Sequence, residues 1–174
     1  MTKKLLGSLL LFLFPLLTLS AQGTDGNTYT TAERMFYITR SLNRNLVCYD
    51  AHLENGKLDS EDPIKVYWVD REKHPGKTEG LNYIQRKMAY GYKLISQEGN
   101  NYICSLSAYP KRHITMTQKS DGTYVCYITI NNERAILQSL YVKSYPKNSL
   151  KVEYVELRGI SLQTNKEISE KIKP

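Results

Sequence analysis

Apolar and polar residues follow one another in short blocks along most of this chain. Ile64-Lys65-Val66-Tyr67-Trp68-Val69 has the clearest pattern, with Ile64, Val66 and Trp68 on one face. That period of two is the one a half-buried strand requires. Strand composition recurs at residues 35–38, 46–53, 92–96, 102–107, 113–118, 124–130, 135–142, 150–157 and 160–162. Turn signals separate many of these blocks: Glu54-Asn55-Gly56-Lys57, Glu98-Gly99-Asn100-Asn101, Asp121-Gly122 and Asn131-Asn132. One segment has helical spacing instead. Thr78 can cap it, Glu79 lies in its first turn, Leu81, Ile84 and Met88 share a face, and Gly91 can stop it. The pattern therefore predicts a mostly β domain over residues 34–164. Nine or ten strands would form a single antiparallel β-sandwich or barrel with one short helix. The charged tail, residues 165–174, reads as a frayed helix.

The first block differs from all the others. Residues 5–19 are an almost unbroken apolar run, preceded by Lys3 and Lys4 and followed by Ser20-Ala21. This is the order of a secretory signal peptide, residues 1–21. The run falls short of the roughly 20 residues that span a bilayer, and no cysteine stands near the cleavage site to carry a lipid. No transmembrane segment is expected after signal cleavage. Residues 22–33, rich in Gly, Thr, Asp and Asn, read as a flexible leader. The expected localisation is exported, periplasmic or secreted.

Composition adds two constraints. The formal charge is +7, but Lys and Arg are scattered and form no dense run. A nucleic-acid interface concentrates charge on one face or helix, so no nucleic acid is expected as a partner. Attraction to anionic lipid or polysaccharide stays open. Export would place Cys48, Cys104 and Cys126 where a disulfide persists. Three is odd, so at most one pair forms. Cys104 and Cys126, on strands that could be neighbours, are the candidate disulfide, although burial as small apolar side chains is the commoner fate of such residues.

The most polar stretch between two apolar blocks is Thr39-Arg40-Ser41-Leu42-Asn43-Arg44-Asn45. Guanidinium groups suit carboxylate or phosphate, while Ser and Asn in such a stretch also serve as turn residues. Arg40, Ser41, Asn43, Arg44 and Asn45 are candidate ligand-binding residues, with Asp50, Tyr67, Arg86 and Tyr90 completing the rim. Asp50 and His52 would share a face if residues 46–53 form one strand, and could then act as an acid–base pair. Three dispersed histidines without ligand spacing make no metal signature, so no metal or cofactor is expected. Fourteen tyrosines, many in strands, offer an aromatic platform or simply fill half-buried sheet positions. No nucleophile elbow, Walker loop, zinc-protease helix or dinucleotide fingerprint is present, and no catalytic residue is assigned.

Three groups of residues taken together carry a resemblance. The first is Arg40-Ser41 with Asn43, Asn45, Val47, Tyr49 and Asp50. The second is Pro63-Ile64-Lys65-Val66-Tyr67-Trp68, and the third runs from Arg86 to Ala89-Tyr90-Gly91. The combination resembles a family of exported bacterial proteins catalogued as a domain of unknown function. The likeness extends over most of the expected mature chain, from about Phe36 to about Ile172, and implies a single exported domain. It transfers no activity or ligand. The first functional expectation is a ligand-binding module of the cell envelope, taking an unknown small molecule or glycan. An envelope structural or protein-interaction domain, binding an envelope protein, is the alternative. A hydrolase acting on envelope or glycan material, with Asp50, His52 and Arg40 as its residues, ranks third.

Overall fold

A computed structural model describes residues 33–173 of the chain. The expected signal peptide and nearly all of the expected leader lie outside the described residues. The described chain is mostly β, as its alternating blocks predict. The first wing of the main sheet contains β1 (Arg34–Arg40), β2 (Asn43–Ala51), β5 (Ile64–Val69) and β6 (Thr78–Gly80). The small pair β3 (Leu53–Glu54) and β4 (Lys57–Leu58) forms a separate hairpin between β2 and β5. The second wing contains β7 (Tyr92–Glu98), β8 (Asn101–Leu106), β9 (Tyr109–Gln118) and β10 (Tyr124–Ile130). Three strands complete the order: β11 (Glu133–Tyr145), β12 (Asn148–Ser161) and β13 (Glu167–Ile172).

The nine strands of the main path run β6-β5-β2-β1-β11-β10-β9-β8-β7 and curl into a half-barrel. The long strand β11 is its spine. Its first part pairs with β10, from Tyr127↔Ile136 to Ile130↔Glu133. Its later part pairs with β1, from Tyr37↔Ser139 to Arg40↔Val142, and this contact is parallel. Strand β12 follows the other edge of β11 along its length. The two wings thus leave one strand and face each other across the core. Phe36, Ile38, Val47, Tyr49, Ile64 and Val66 come from the first wing, and Cys104, Ile114, Met116, Cys126 and Ile128 from the second. Phe36 and Tyr49 stack with ring centroids 4.3 Å apart. Strand β2 is buried on both faces from Leu46 to Ala51, because Leu46 and Cys48 enter a second small cluster with Val69. A strand covered on both sides needs a continuous apolar run rather than alternation.

The helix differs from the expectation. Thr78 does not cap it, since Thr78–Gly80 is taken up as β6 against the edge of β5. The cap is Asn82, whose side chain accepts from Gln85 N–H while the Gln85 side chain accepts from Asn82 N–H. This reciprocal capping box satisfies two orphan donors. Helix α1 (Tyr83–Gln85) continues directly into a π-helical turn, Arg86–Tyr90. Gly91 N–H closes that turn on Arg86 O at 3.0 Å. Leu81 is buried just before the helix, but Ile84 and Met88 are 66% and 74% exposed. Only Tyr90 of the helical segment is buried. The expected apolar face is therefore not a core face.

The helical segment links the two ends of the nine-strand path, β6 and β7. A clasp joins the same two wings: Tyr92, first residue of β7, donates its hydroxyl to Asp62 and accepts from Ile64 N–H at 3.0 Å. The tail also departs from its expected frayed helix. Residues Glu167–Ile172 pair with β12, from Ile160↔Glu167 to Val155↔Ile172. Ile168 and Ile172 pack against the core, and Glu170 receives both guanidinium nitrogens of Arg112, at 2.7 and 3.1 Å. Alternating Ile and charge is a strand pattern that the high charge of the tail disguises.

Candidate functional site

An open cavity of about 790 Å³ lies beside β2, β5 and β6. Its wall carries five carboxylates, Glu33, Asp50, Glu54, Asp62 and Glu79, against two permanent cations, Lys65 and Arg86. His52, Tyr67 and Thr78 add polar groups. The fold brings these together from distant parts of the sequence. Pairing of β2 with β5 sets Asp50 opposite Lys65, and β6 brings Glu79 opposite Trp68.

Asp50 is held firmly. Its carboxylate pairs with Arg34 and accepts the Tyr67 hydroxyl at 2.6 Å, while Arg34 donates to the same hydroxyl at 2.9 Å. The Arg34 and Asp50 side chains are more than nine-tenths buried. Burial, together with its hydrogen bond to Asp50, pushes the Tyr67 phenol up to about 12. The cavity carboxylates are thus differently placed: Asp50 is neutralised by Arg34, whereas Glu54 and Glu79 are exposed. Glu79 pairs with Lys77 at 2.8 Å on the surface.

His52 does not meet Asp50 as an acid–base pair. Strand β2 ends at Ala51, and His52 Nδ1 lies 2.8 Å from the carbonyl oxygen of Asp62. The imidazole instead stands 3.7 Å from Asp59. Ligand atoms of His52, Glu54 and Asp59 lie within 4.8 Å of one another, a spacing that a divalent cation can bridge. The sequence alone shows no such grouping, because the β3–β4 hairpin is what folds Asp59 back. Backbone N–H groups of Asp62 and Glu61, at 3.2 and 2.9 Å, hold the Asp59 carboxyl below its ordinary range.

Of the nine candidate residues, Asp50, Tyr67 and Arg86 line the cavity, and the other six do not. Asn43 Oδ1 accepts from Asn45 N–H at 2.8 Å, and Asn45 Oδ1 accepts from Arg71 N–H at 2.8 Å. Ser41 Oγ accepts from Ser144 N–H at 3.0 Å. These side chains fasten the β1–β2 turn to its neighbours, as Ser and Asn in turns do. Arg44 is exposed. Arg40 donates to the Tyr90 hydroxyl at 2.9 Å and to Ser144 Oγ at 3.4 Å. Tyr90 in turn meets Trp68 edge-on at 5.0 Å, and its carbonyl accepts from the buried Tyr49 hydroxyl at 2.6 Å. Arg40 and Tyr90 therefore join β1 to the π turn. Trp68 Nε1 is a buried donor with no hydrogen-bond partner among the described residues.

The candidate disulfide is not formed. Cys48, Cys104 and Cys126 are all free and buried. Strand β9 lies between the strands of Cys104 and Cys126, with Cys104 opposite Ile114 and Cys126 opposite Met116. Two strand spacings of about 4.8 Å each separate them, beyond the roughly 7 Å Cα limit for a bridge. Burial raises all three thiols, Cys48 to about 11 and Cys104 to about 12, so none is a ready nucleophile.

The residues that sequence reasoning missed are the acids: Glu33, Glu54, Asp62 and Glu79 line the cavity. The only available signal was the acidic run Asp59-Ser60-Glu61-Asp62 beside the Glu54 turn. No curated protein and no solved structure matches the chain. A family model does match, over residues 36–171, which takes in both wings and the last strand. The chain belongs to the family described as a domain of unknown function, DUF4833.

Proposed function

We propose that this domain is an exported ligand-binding module of the cell envelope whose cavity takes a small polar ligand bearing positive charge. The observation that carries the reading is the imbalance of charge around the cavity: after Arg34 pairs with Asp50 and Lys77 with Glu79, the carboxylates of Glu33, Glu54 and Asp62 still outnumber the wall cations Lys65 and Arg86. A volume of about 790 Å³ suits a small organic molecule, since ligand cavities commonly span roughly 300–1,000 Å³. Convergent acidic groups would select a polyamine, an amino sugar or a metal ion over an anion. Export rests on the order of charge, apolar run and small residues at 1–21. This ligand is opposite in sign to the one that the Arg40-to-Asn45 stretch suggests.

Native mass spectrometry of the protein recovered after export would reveal a retained ligand. Thermal shift against spermidine, glucosamine, Ca²⁺ and Zn²⁺ provides the second readout. Stabilisation by one of these, abolished in Glu54→Gln/Glu79→Gln, supports the reading. Absence of any retained ligand together with no stabilisation by the whole panel would reject it.

A further inference from the structure

We infer that the short helical segment between β6 and β7 docks this domain on an anionic lipid surface. Tyr83, Ile84 and Met88 are 73%, 66% and 74% exposed. With Lys87 they occupy positions i, i+1, i+4 and i+5, so Lys87 neighbours Tyr83 and Met88 neighbours Ile84 one turn further on. Lys87 sits among them, its Nζ 3.4 Å from the Tyr83 hydroxyl and 5.7 Å from the ring centroid. A tyrosine, two long apolar chains and a lysine make the mixture that settles at a headgroup boundary: the apolar parts enter, and the ammonium and hydroxyl stay at the phosphates.

The charge of the segment identifies the kind of surface. Residues 81–97 hold Arg86, Lys87 and Lys93 and no Asp or Glu. The first turn of the helix lacks the acidic residue that its N-terminus would favour. An anionic bilayer attracts such a segment. A protein groove fits less well. Helix-in-groove recognition reads anchors at i, i+3 or i+4, and i+7. Counted from Tyr83, the i+7 residue is Tyr90, which is buried and bonded to Arg40. The same anchoring fixes the element in advance. The Asn82 capping box holds one end and Tyr90 holds the other, so docking needs no folding of the segment. None of the three apolar residues, nor Lys87 or Lys93, lines the cavity; of the segment's cations only Arg86 is shared with it.

The test is co-sedimentation of the exported, processed protein with vesicles of phosphatidylglycerol and phosphatidylcholine, beside vesicles of phosphatidylcholine alone. We expect binding to the mixed vesicles, weakened by added salt. Ile84→Ser/Met88→Ser should reduce it about tenfold or more through loss of apolar burial. Lys87→Glu should reduce both the binding and its salt dependence. These side chains are exposed, so circular dichroism and Tm should match wild type. No binding to the mixed vesicles overturns the inference. So does wild-type binding by the double variant, or a stoichiometric protein complex lost in that variant while vesicles are ignored.

Discussion

Arg34, Asp50 and Tyr67 show how much depends on single groups when a charge lies inside the fold. The Arg34 and Asp50 side chains are less than a tenth exposed. Breaking a buried pair by removing one partner leaves the other charge uncompensated and costs about 3 kcal/mol or more. Asp50→Ala and Arg34→Ala should each lower unfolding free energy by about that amount in urea denaturation. The pair Arg34→Met/Asp50→Leu should lose far less, since apolar replacements remove both charges together. Equal losses for the double and single variants would show that packing, not charge, decides the site. Asn43 is a contrasting residue. Its side chain accepts one local backbone N–H in the turn, so Asn43→Ala should cost only about 1 kcal/mol and leave a cavity ligand bound. Loss of ligand without loss of stability would return Asn43 to the binding site.

At the scale of elements, the π turn is the most constrained piece. A Cβ at Gly91 would come 2.0 Å from the Arg86 carbonyl oxygen, a backbone atom that cannot rotate away. Gly91→Ala must therefore open the Arg86–Gly91 closure and displace Tyr90, which bonds Tyr49 and Arg40. We expect about 2 kcal/mol or more of destabilisation, read by thermal unfolding, with Trp68 fluorescence changed because Tyr90 packs on that indole. The sequence made Gly91 legible as a stop but not why it is needed, since helix periodicity says nothing about a π turn. The strands were legible because alternation is local: Ile64 and Val66 are buried and Lys65 exposed, as the period requires. Helical spacing set Leu81, Ile84 and Met88 on one face but could not say what covers it, and Ile84 and Met88 stay exposed where the segment spans the two wings. Strand β13 was missed because Glu167, Glu170 and Lys171 outweigh Ile168 and Ile172 in any count of charge.

At the scale of the whole molecule, the cavity and the core both follow from pairings that no local pattern encodes. Asp50 meets Tyr67 and Arg34 only because β2 lies between β1 and β5. The acids Glu33, Glu54 and Glu79 converge from three separate segments, so the sequence showed turn residues where the fold makes a rim. The same convergence buries the groups that set the response to alkali. Cys48 is pushed up to about 11 and Cys104 to about 12 by burial, and Tyr67 to about 12 by burial and its bond to Asp50. An unfolded thiol titrates near 8.5 and an unfolded phenol near 10. Above these values the unfolded chain releases protons that the folded chain still holds, so stability must fall as pH rises. The contribution is fully present below about pH 8.5 and is lost through the interval up to about pH 12. The urea midpoint should therefore decline from about pH 9 upward. Ellman's reagent at pH 8 should find no reactive thiol in the folded protein and three after denaturation. A thiol that reacts in the folded state would mean that the half-barrel opens far more readily than its clasped wings imply. Tyr92→Phe, which removes the hydroxyl donated to Asp62, would then be expected to raise that reactivity further.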